Sequence, residues 1–181
     1  MASPGVELVR RMAAGDREAL TAFYDLYAPL AFGLLRRMLR DVDDAAEVLQ
    51  EVFWELWRAA REYDPRRGSP EAWVTVRARS RGIDRVRSVR RGKRCSSPRR
   101  GRLHEPLDEL VAGHVLGALE GEDASRFAAH LAAGCTECER AIVEYQEALA
   151  RAAADLREAP PARVRHALLE RIGEAQPAAR A

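Results

Sequence analysis

The chain is 181 residues long, enough for one or two domains, and its 47% hydrophobic residues can fill a core. Aromatics make up only 6% while Ala and Arg abound, which favours helices over strands; three cysteines are too few for a disulfide framework, and no run approaches the roughly 18 apolar residues of a membrane span. The net charge of +2 conceals an asymmetry, with 22 Lys/Arg against 14 Asp/Glu in residues 1–102 and 8 against 14 in residues 103–181, so two modules with different partners, or with each other as partners, are expected.

The start, MASPGVELVRR, has no apolar h-region, so the expected location is the reducing cytoplasm. A short helix is expected over residues 4–13. Asp16 then caps a longer one, in which Leu20, Phe23, Tyr27, Leu30, Leu34 and Met38 mark one helical face, and Pro29 should kink or divide it. Asp43 is the expected N-cap of a helix over about 44–61. Its broad apolar stripe runs from Val48 to Ala60 beside the acids Asp44, Glu47, Glu51 and Glu55. After a loop over 62–68, Ser69 caps a further helix with Pro70 at its first position. Trp73, Val76, Ile83 and Val86 are its expected inward face, and Arg77, Arg81 and Arg85 form an i, i+4, i+8 row flanked by Arg79 and Arg87. Residues 88–102 (SVRRGKRCSSPRRGR) lack apolar periodicity and read as a basic linker.

Beyond it, helices are expected from about Leu103 to Gly121, over about 122–132, and from Cys135 to about Glu158 with the stripe Cys138, Ile142, Tyr145, Leu149, Ala152 and Leu156. Pro160-Pro161 precedes a last helix with Val164, Leu168 and Ile172. The fold class is all-α, with two small helical domains (1–91 and 103–173), a linker over 92–102 and a disordered tail over 174–181.

Three ordered stretches of residues 16–91, GDREALTAFYDLYAPLAFGLLRRML, DDAAEVLQEVFWELWRA and DPRRGSPEAWVTVRARSRGIDRVRS, resemble region 2 of the extracytoplasmic-function sigma factors of bacterial RNA polymerase. The resemblance implies that Asp44, Glu47, Gln50 and Glu51 face the polymerase core, where an acidic row steers and orients a basic partner. It implies that Tyr63, Asp64, Arg66 and Arg67, in the loop Tyr63–Ser69, capture a flipped base of the −10 promoter DNA; an aromatic, an acid and two arginines can stack, accept and donate around one base. It further implies phosphate contacts by Arg77, Arg79, Arg81, Arg85 and Arg87, whose binding falls with salt as counterions are released. Where many members carry Asn, this chain has Ser80. Trp57 and Trp73 sit on apolar stripes and read as packing residues, Trp54 less so. After residue 102 no helix-turn-helix pattern of the family's region 4 follows.

His130-x4-Cys135-x2-Cys138 puts three metal-type ligands around a helix–helix turn. A helix N-terminus favours the thiolates that bind metal. Structural zinc takes four ligands, and the candidates for the fourth are His104, His114 or an external group. Residues 103–172 also resemble the zinc-type anti-sigma domain: LDELVAGHVLGALEGEDASRFAAHL is similar to its first two helices and PPARVRHALLERI to the last, which in that family inserts against sigma region 2. The resemblance implies zinc on His104, His130, Cys135 and Cys138. The motif carries one residue more than the family's usual His-x3-Cys-x2-Cys, and a redox-active Cys135–Cys138 pair is the alternative. His114 reads as packing, His166 as surface, and Cys95 as incidental.

The expected protein is therefore a bacterial transcription regulator and not an enzyme, since no Walker, dinucleotide or open metal-hydrolase pattern is found. Its expected partners are RNA polymerase core, −10 promoter DNA, and its own or another sigma region 2, with no membrane. In the principal reading the C-terminal domain masks the N-terminal one, which a short linker holds at high local concentration. In the alternatives the chain is a partial sigma factor lacking region 4, or it sequesters a separate sigma factor through its C-terminal domain.

Overall fold

The computed structural model describes residues 3–91 and 107–175, and among them there are helices and turns but no strand. Eight helices follow in order: α1 (Pro4–Ala13), α2 (Arg17–Met38), α3 (Val42–Arg58), α4 (Pro70–Arg91), α5 (Leu107–Val115), α6 (Gly121–Ala132), α7 (Thr136–Ala153) and α8 (Ala162–Ala175). Short 3-10 turns cover Ala60–Glu62, Pro65–Arg67 and Ala154–Leu156. No helix among the described residues is long and apolar enough to cross a membrane. Leu103, His104, Cys95 and the linker expected over 92–102 lie outside the described residues; of the tail expected over 174–181, Glu174 and Ala175 instead end α8, and the rest lies outside the described residues.

Local chemistry sets the helix boundaries. The Asp16 carboxylate accepts the N–H groups of Glu18 and Ala19 at 2.9 and 3.2 Å, starting α2. Asp41, not Asp43, caps α3, accepting from Asp43 N at 2.7 Å and Asp44 N at 3.0 Å. The helix therefore begins two residues before the expected position, and it closes at Arg58 with a tightened turn after it. Pro29 does not divide α2. Its neighbours Ala28, Leu30, Ala31 and Phe32 are all buried, so tertiary packing holds the turns on both sides of the proline. Ser69 caps α4 as expected: its Oγ accepts the Ala72 N–H at 3.1 Å.

The buried face of α4 differs from the expected one. Ala72, Val74, Thr75, Ala78 and Gly82 are buried, while Trp73, Val76, Ile83 and Val86 are half-buried. The reason is the close crossing with α2: a Cβ on Gly82 would lie 2.7 Å from Met38 Cε and 3.2 Å from Leu35 Cδ2, so small residues face the contact. Along α7 the buried positions are Cys138, Ala150 and Ala153, whereas Tyr145 and Ala152 are exposed. This helix is rotated from the expected stripe because it packs along α4 and turns Glu147 toward the start of that helix.

Two cores result. The larger gathers α1–α4 residues such as Phe23, Leu35, Leu49 and Phe53 together with Val164, Leu168 and Ile172 of α8. The smaller consists of Val111, Phe127 and Cys138, flanked by Leu110, Leu119, Leu131, Cys135, Ala141 and Ile142. The last helix thus completes the core of the first four. It is led there by a strap over residues 157–161, in which the Glu158 N–H donates to Pro29 O at 2.9 Å. Gly33 makes this crossing possible, because a Cβ there would lie 1.4 Å from Leu156 O and 2.5 Å from Leu156 C.

Candidate functional site

The acidic row of α3 and the arginine row of α4 face each other. Arg85 pairs with Glu47 and reaches Asp44 at 3.1 Å; Arg81 pairs with Glu55. Burial lowers the Arg85 guanidinium pKa, and the hydrogen bond to Glu47 with the charges of Glu47, Asp44 and Glu51 carries it above its ordinary value. Glu47 and Glu51 remain exposed, Asp44 and Gln50 half-buried. Of the arginines expected to meet phosphate, Arg77 is exposed. Arg79 is half-buried, with its pKa lowered by burial and no ion pair to it among the described residues. Arg87 is held by the C-terminal half, at 2.6 Å from Glu120 and 3.2 Å from Gly117 O.

The loop before α4 is a closed structure. Tyr63 donates its hydroxyl to Gly68 O at 2.8 Å and packs on Trp73, ring centroids 5.0 Å apart. Burial, then the charges of Glu147 and Asp64 among its neighbours, pushes the Tyr63 phenol up to about 12. Asp64 caps the Pro65–Arg67 turn through Arg66 N at 2.9 Å and binds the Arg66 guanidinium. That bond holds the Asp64 carboxyl below the usual range, with the backbone bond adding to it. Gly68 is buried at φ +134°, a conformation that favours glycine. Asp64, Arg66 and Arg67 line an open cleft of about 800 Å³ together with His114, Thr136 and Arg140 of the C-terminal half.

The sequence reading missed the residues by which the C-terminal half meets these faces. Glu147 of α7 accepts from Ser69 N at 2.5 Å and from Ser69 Oγ at 3.0 Å. Arg163 pairs with Asp43, and Arg165 reaches Asp25 at 2.7 and 3.1 Å. Arg171 lies 4.5 Å above the Trp54 ring, a cation–π contact that occupies the one tryptophan left open to DNA stacking. Asp43, Ala46, Glu47 and Gln50 share a groove of about 540 Å³ with Arg163 and Val164. The resemblance of PPARVRHALLERI flags α8 as a whole, but not the pairing of Arg163 with Asp43 and of Arg165 with Asp25. Nothing in the sequence marks Glu147 apart from its neighbours.

The ligand atoms of His130, Cys135 and Cys138 all lie within 4.8 Å of one another. His130 Nε2 is 3.3 Å from Cys138 Sγ. Cys135 stands at the N-cap of α7, and backbone N–H groups of Cys138 and Glu137, with a bond from the Cys138 side chain, lower its thiol pKa. The extra residue of the motif is absorbed by the α6–α7 turn, where Gly134 takes φ +81° and its N–H bonds Leu131 O at 2.9 Å. One imidazole and two thiols at this separation fit a tetrahedral zinc with Zn–S near 2.3 Å and Zn–N near 2.0 Å. His114 is outside the cluster. It packs on Phe127 at 5.2 Å and its pKa is lowered by burial.

Residues 23–92 match the Sigma-70 region 2 family. The chain is 34% identical over 137 residues to the ECF RNA polymerase sigma factor SigK of Mycobacterium ulcerans (strain Agy99), covering 76% of this chain and 71% of that protein. SigK of Mycobacterium bovis (strain BCG / Pasteur 1173P2) is 33% identical over 139 residues, 77% of this chain and 68% of the relative. For SigK of Mycobacterium sp. (strain KMS) the figures are 35% over 109 residues, 60% and 56%. No solved structure matches.

Proposed function

The chain belongs to the ECF RNA polymerase sigma factors, and from that premise we propose that its region 2 is held closed by its own C-terminal segment, an anti-sigma-like module that masks the polymerase-facing and DNA-facing surfaces. The observation that carries this reading is the position of α8. Val164, Leu168 and Ile172 are buried in the core of α1–α4, and Arg163 sits on Asp43 at the edge of the row Asp44, Glu47, Gln50 and Glu51. A basic, amphipathic helix on an acidic row occupies the ground a basic polymerase surface needs. In this reading His130, Cys135 and Cys138 hold zinc, which fixes α6 against α7 and keeps that part of the masking module folded. The fourth ligand is His104 or an external group. With the mask displaced, Tyr63, Asp64, Arg66, Arg67 and the arginines of α4 turn to −10 DNA.

Gly33→Ala tests this in the full chain. The three heavy atoms nearest to the added Cβ all belong to residues 156–158, so the substitution lifts the strap while leaving the packing of α2 on α3 and α4 in place. The wild-type chain should capture RNA polymerase core weakly and the variant at least about tenfold better. Adding Glu47→Arg and Glu51→Arg to the variant should abolish the gain. Equal capture by wild type and Gly33→Ala would sink the intramolecular mask.

A further inference from the structure

The polymerase side and the DNA side of region 2 are closed by different elements. α8 and its strap lie on α2 and α3, through Arg163 and Arg165 on Asp43 and Asp25 and through Glu158 N–H on Pro29 O. The loop before α4 is closed by α7. There the Glu147 carboxylate takes one hydrogen bond from the Ser69 N–H, at 2.5 Å, and a second from the Ser69 hydroxyl, at 3.0 Å. The same hydroxyl accepts the Ala72 N–H at 3.1 Å, so the carboxylate is tied into the first turn of α4. Beside it, Gly68 is buried, and a Cβ on it would lie 3.4 Å from Gln146 Oε1 and 3.8 Å from Glu147 Oε1. The backbone of the loop is thus pressed directly against α7.

Two oxygens of one anion meet a backbone N–H and a hydroxyl at the positive end of a helix. A nucleic-acid phosphate presents the same pair of oxygens to such a site. At the other end of α4, about 27 Å away at 1.5 Å per residue, Glu120 neutralises Arg87. We propose that Glu147 is a built-in stand-in for a phosphate of single-stranded DNA, which keeps the loop Tyr63–Ser69 closed to DNA independently of the α8 mask on the polymerase side. The proposal rests on the reading of this loop as DNA-facing.

The test uses the full chain and a fluorescent, mixed-sequence 20-nucleotide single-stranded DNA, with capture of RNA polymerase core as the second readout. Glu147→Gln keeps the shape and removes the charge; it should tighten DNA binding about tenfold, the scale of one charge-assisted hydrogen-bonded contact, and leave polymerase capture unchanged. Glu144→Gln, an equal change of charge on an exposed residue of α7 whose ion pair is to Arg140, should leave DNA binding as in the wild type. Helicity by circular dichroism checks that both variants fold. If Glu147→Gln binds DNA no more tightly than Glu144→Gln while Gly33→Ala captures polymerase, the stand-in is wrong and the masked sigma module stands. A parallel rise of polymerase capture in Glu147→Gln also overturns the proposal, because Glu147 would then be a general tie of the C-terminal half. If no variant, Gly33→Ala included, binds DNA or polymerase, the proposal falls together with the reading it rests on.

Discussion

Two aspartates two positions apart, Asp41 and Asp43, do different work, and the difference is measurable. Asp41 accepts two N–H groups at the start of α3, while Asp43 points to Arg163 with both side chains well exposed. Exposed pairs contribute little, whereas loss of an N-cap strands backbone donors. Asp41→Ala should lower Tm by about 3 °C, the scale expected of a lost cap in a chain of this size, and Asp43→Ala should leave it nearly unchanged. The pH dependence follows the same assignment. The N–H groups of Asp44 and Asp43 hold the Asp41 carboxyl below its ordinary value, as Arg11 and then Ala19 N–H do for Asp16. On unfolding both return to the ordinary value near about 3.9. The unfolded chain therefore takes up protons first as pH falls, and the stability present above that value is lost as pH falls through the lowered native values. A melting series between pH 7 and pH 2 should show a shallower acid limb for Asp41→Ala than for wild type. Sequence alone pointed to a cap in this stretch but chose Asp43, because either aspartate satisfies the residue-type rule and only the extended backbone at Asp41 decides between them.

At the scale of helices, most of the long apolar stripes of α2 and α3 was legible: Leu20, Phe23, Tyr27 and Leu30, and Val48, Leu49, Val52, Phe53 and Leu56, are buried at helical spacing, while Leu34, Met38 and Trp57 are half-buried. The faces of α4 and α7 were not legible, because both are lined by small residues whose role is to let backbones approach. Gly82 against Met38, and Ala150 and Ala153 along α7, carry no hydrophobic signal proportional to their burial. The stripe of α8 was legible too, and the resemblance of PPARVRHALLERI implied its destination against region 2. From the residues alone, Val164, Leu168 and Ile172 would have served equally in a four-helix C-terminal domain, and Gly33, the notch for the strap, favours the observed docking. Leu168 is fully buried among residues of the first core, so Leu168→Ala should cost about 2–5 kcal/mol. That loss falls first on the docking of a terminal helix. We expect limited proteolysis with trypsin to cut at Arg163 and Arg165 in this variant well before it cuts α2 or α3. Simultaneous cleavage throughout would mean that α8 is an integral part of the bundle and not a detachable cover.

For the whole molecule, the opposed net charges of the two halves suggested docking of acid on base, but the contacts are more specific than that. The acidic half contributes arginines, Arg157, Arg163 and Arg165, to the acids Glu71, Asp43 and Asp25 of the basic half. Its own acids Glu120 and Glu147 go to Arg87 and Ser69. Local charge order, not net charge, sets the fit. The division into two cores then has a consequence for metal. The candidate ligand cluster belongs to the smaller core, in which three residues are buried, and in the proposed zinc reading a core of that size would depend on the metal for order. α8 belongs to the larger core and shares no buried residue with the smaller one. Chelation of the zinc-loaded chain should therefore remove hydrogen-exchange protection from α6 and the first half of α7 while leaving the amides of α8 protected, and it should raise affinity for single-stranded DNA before it raises capture of polymerase. Cys138→Ser should reproduce the pattern without a chelator. If the amides of α8 lose protection together with those of α6, the two cores unfold as one unit, and metal controls both faces at once.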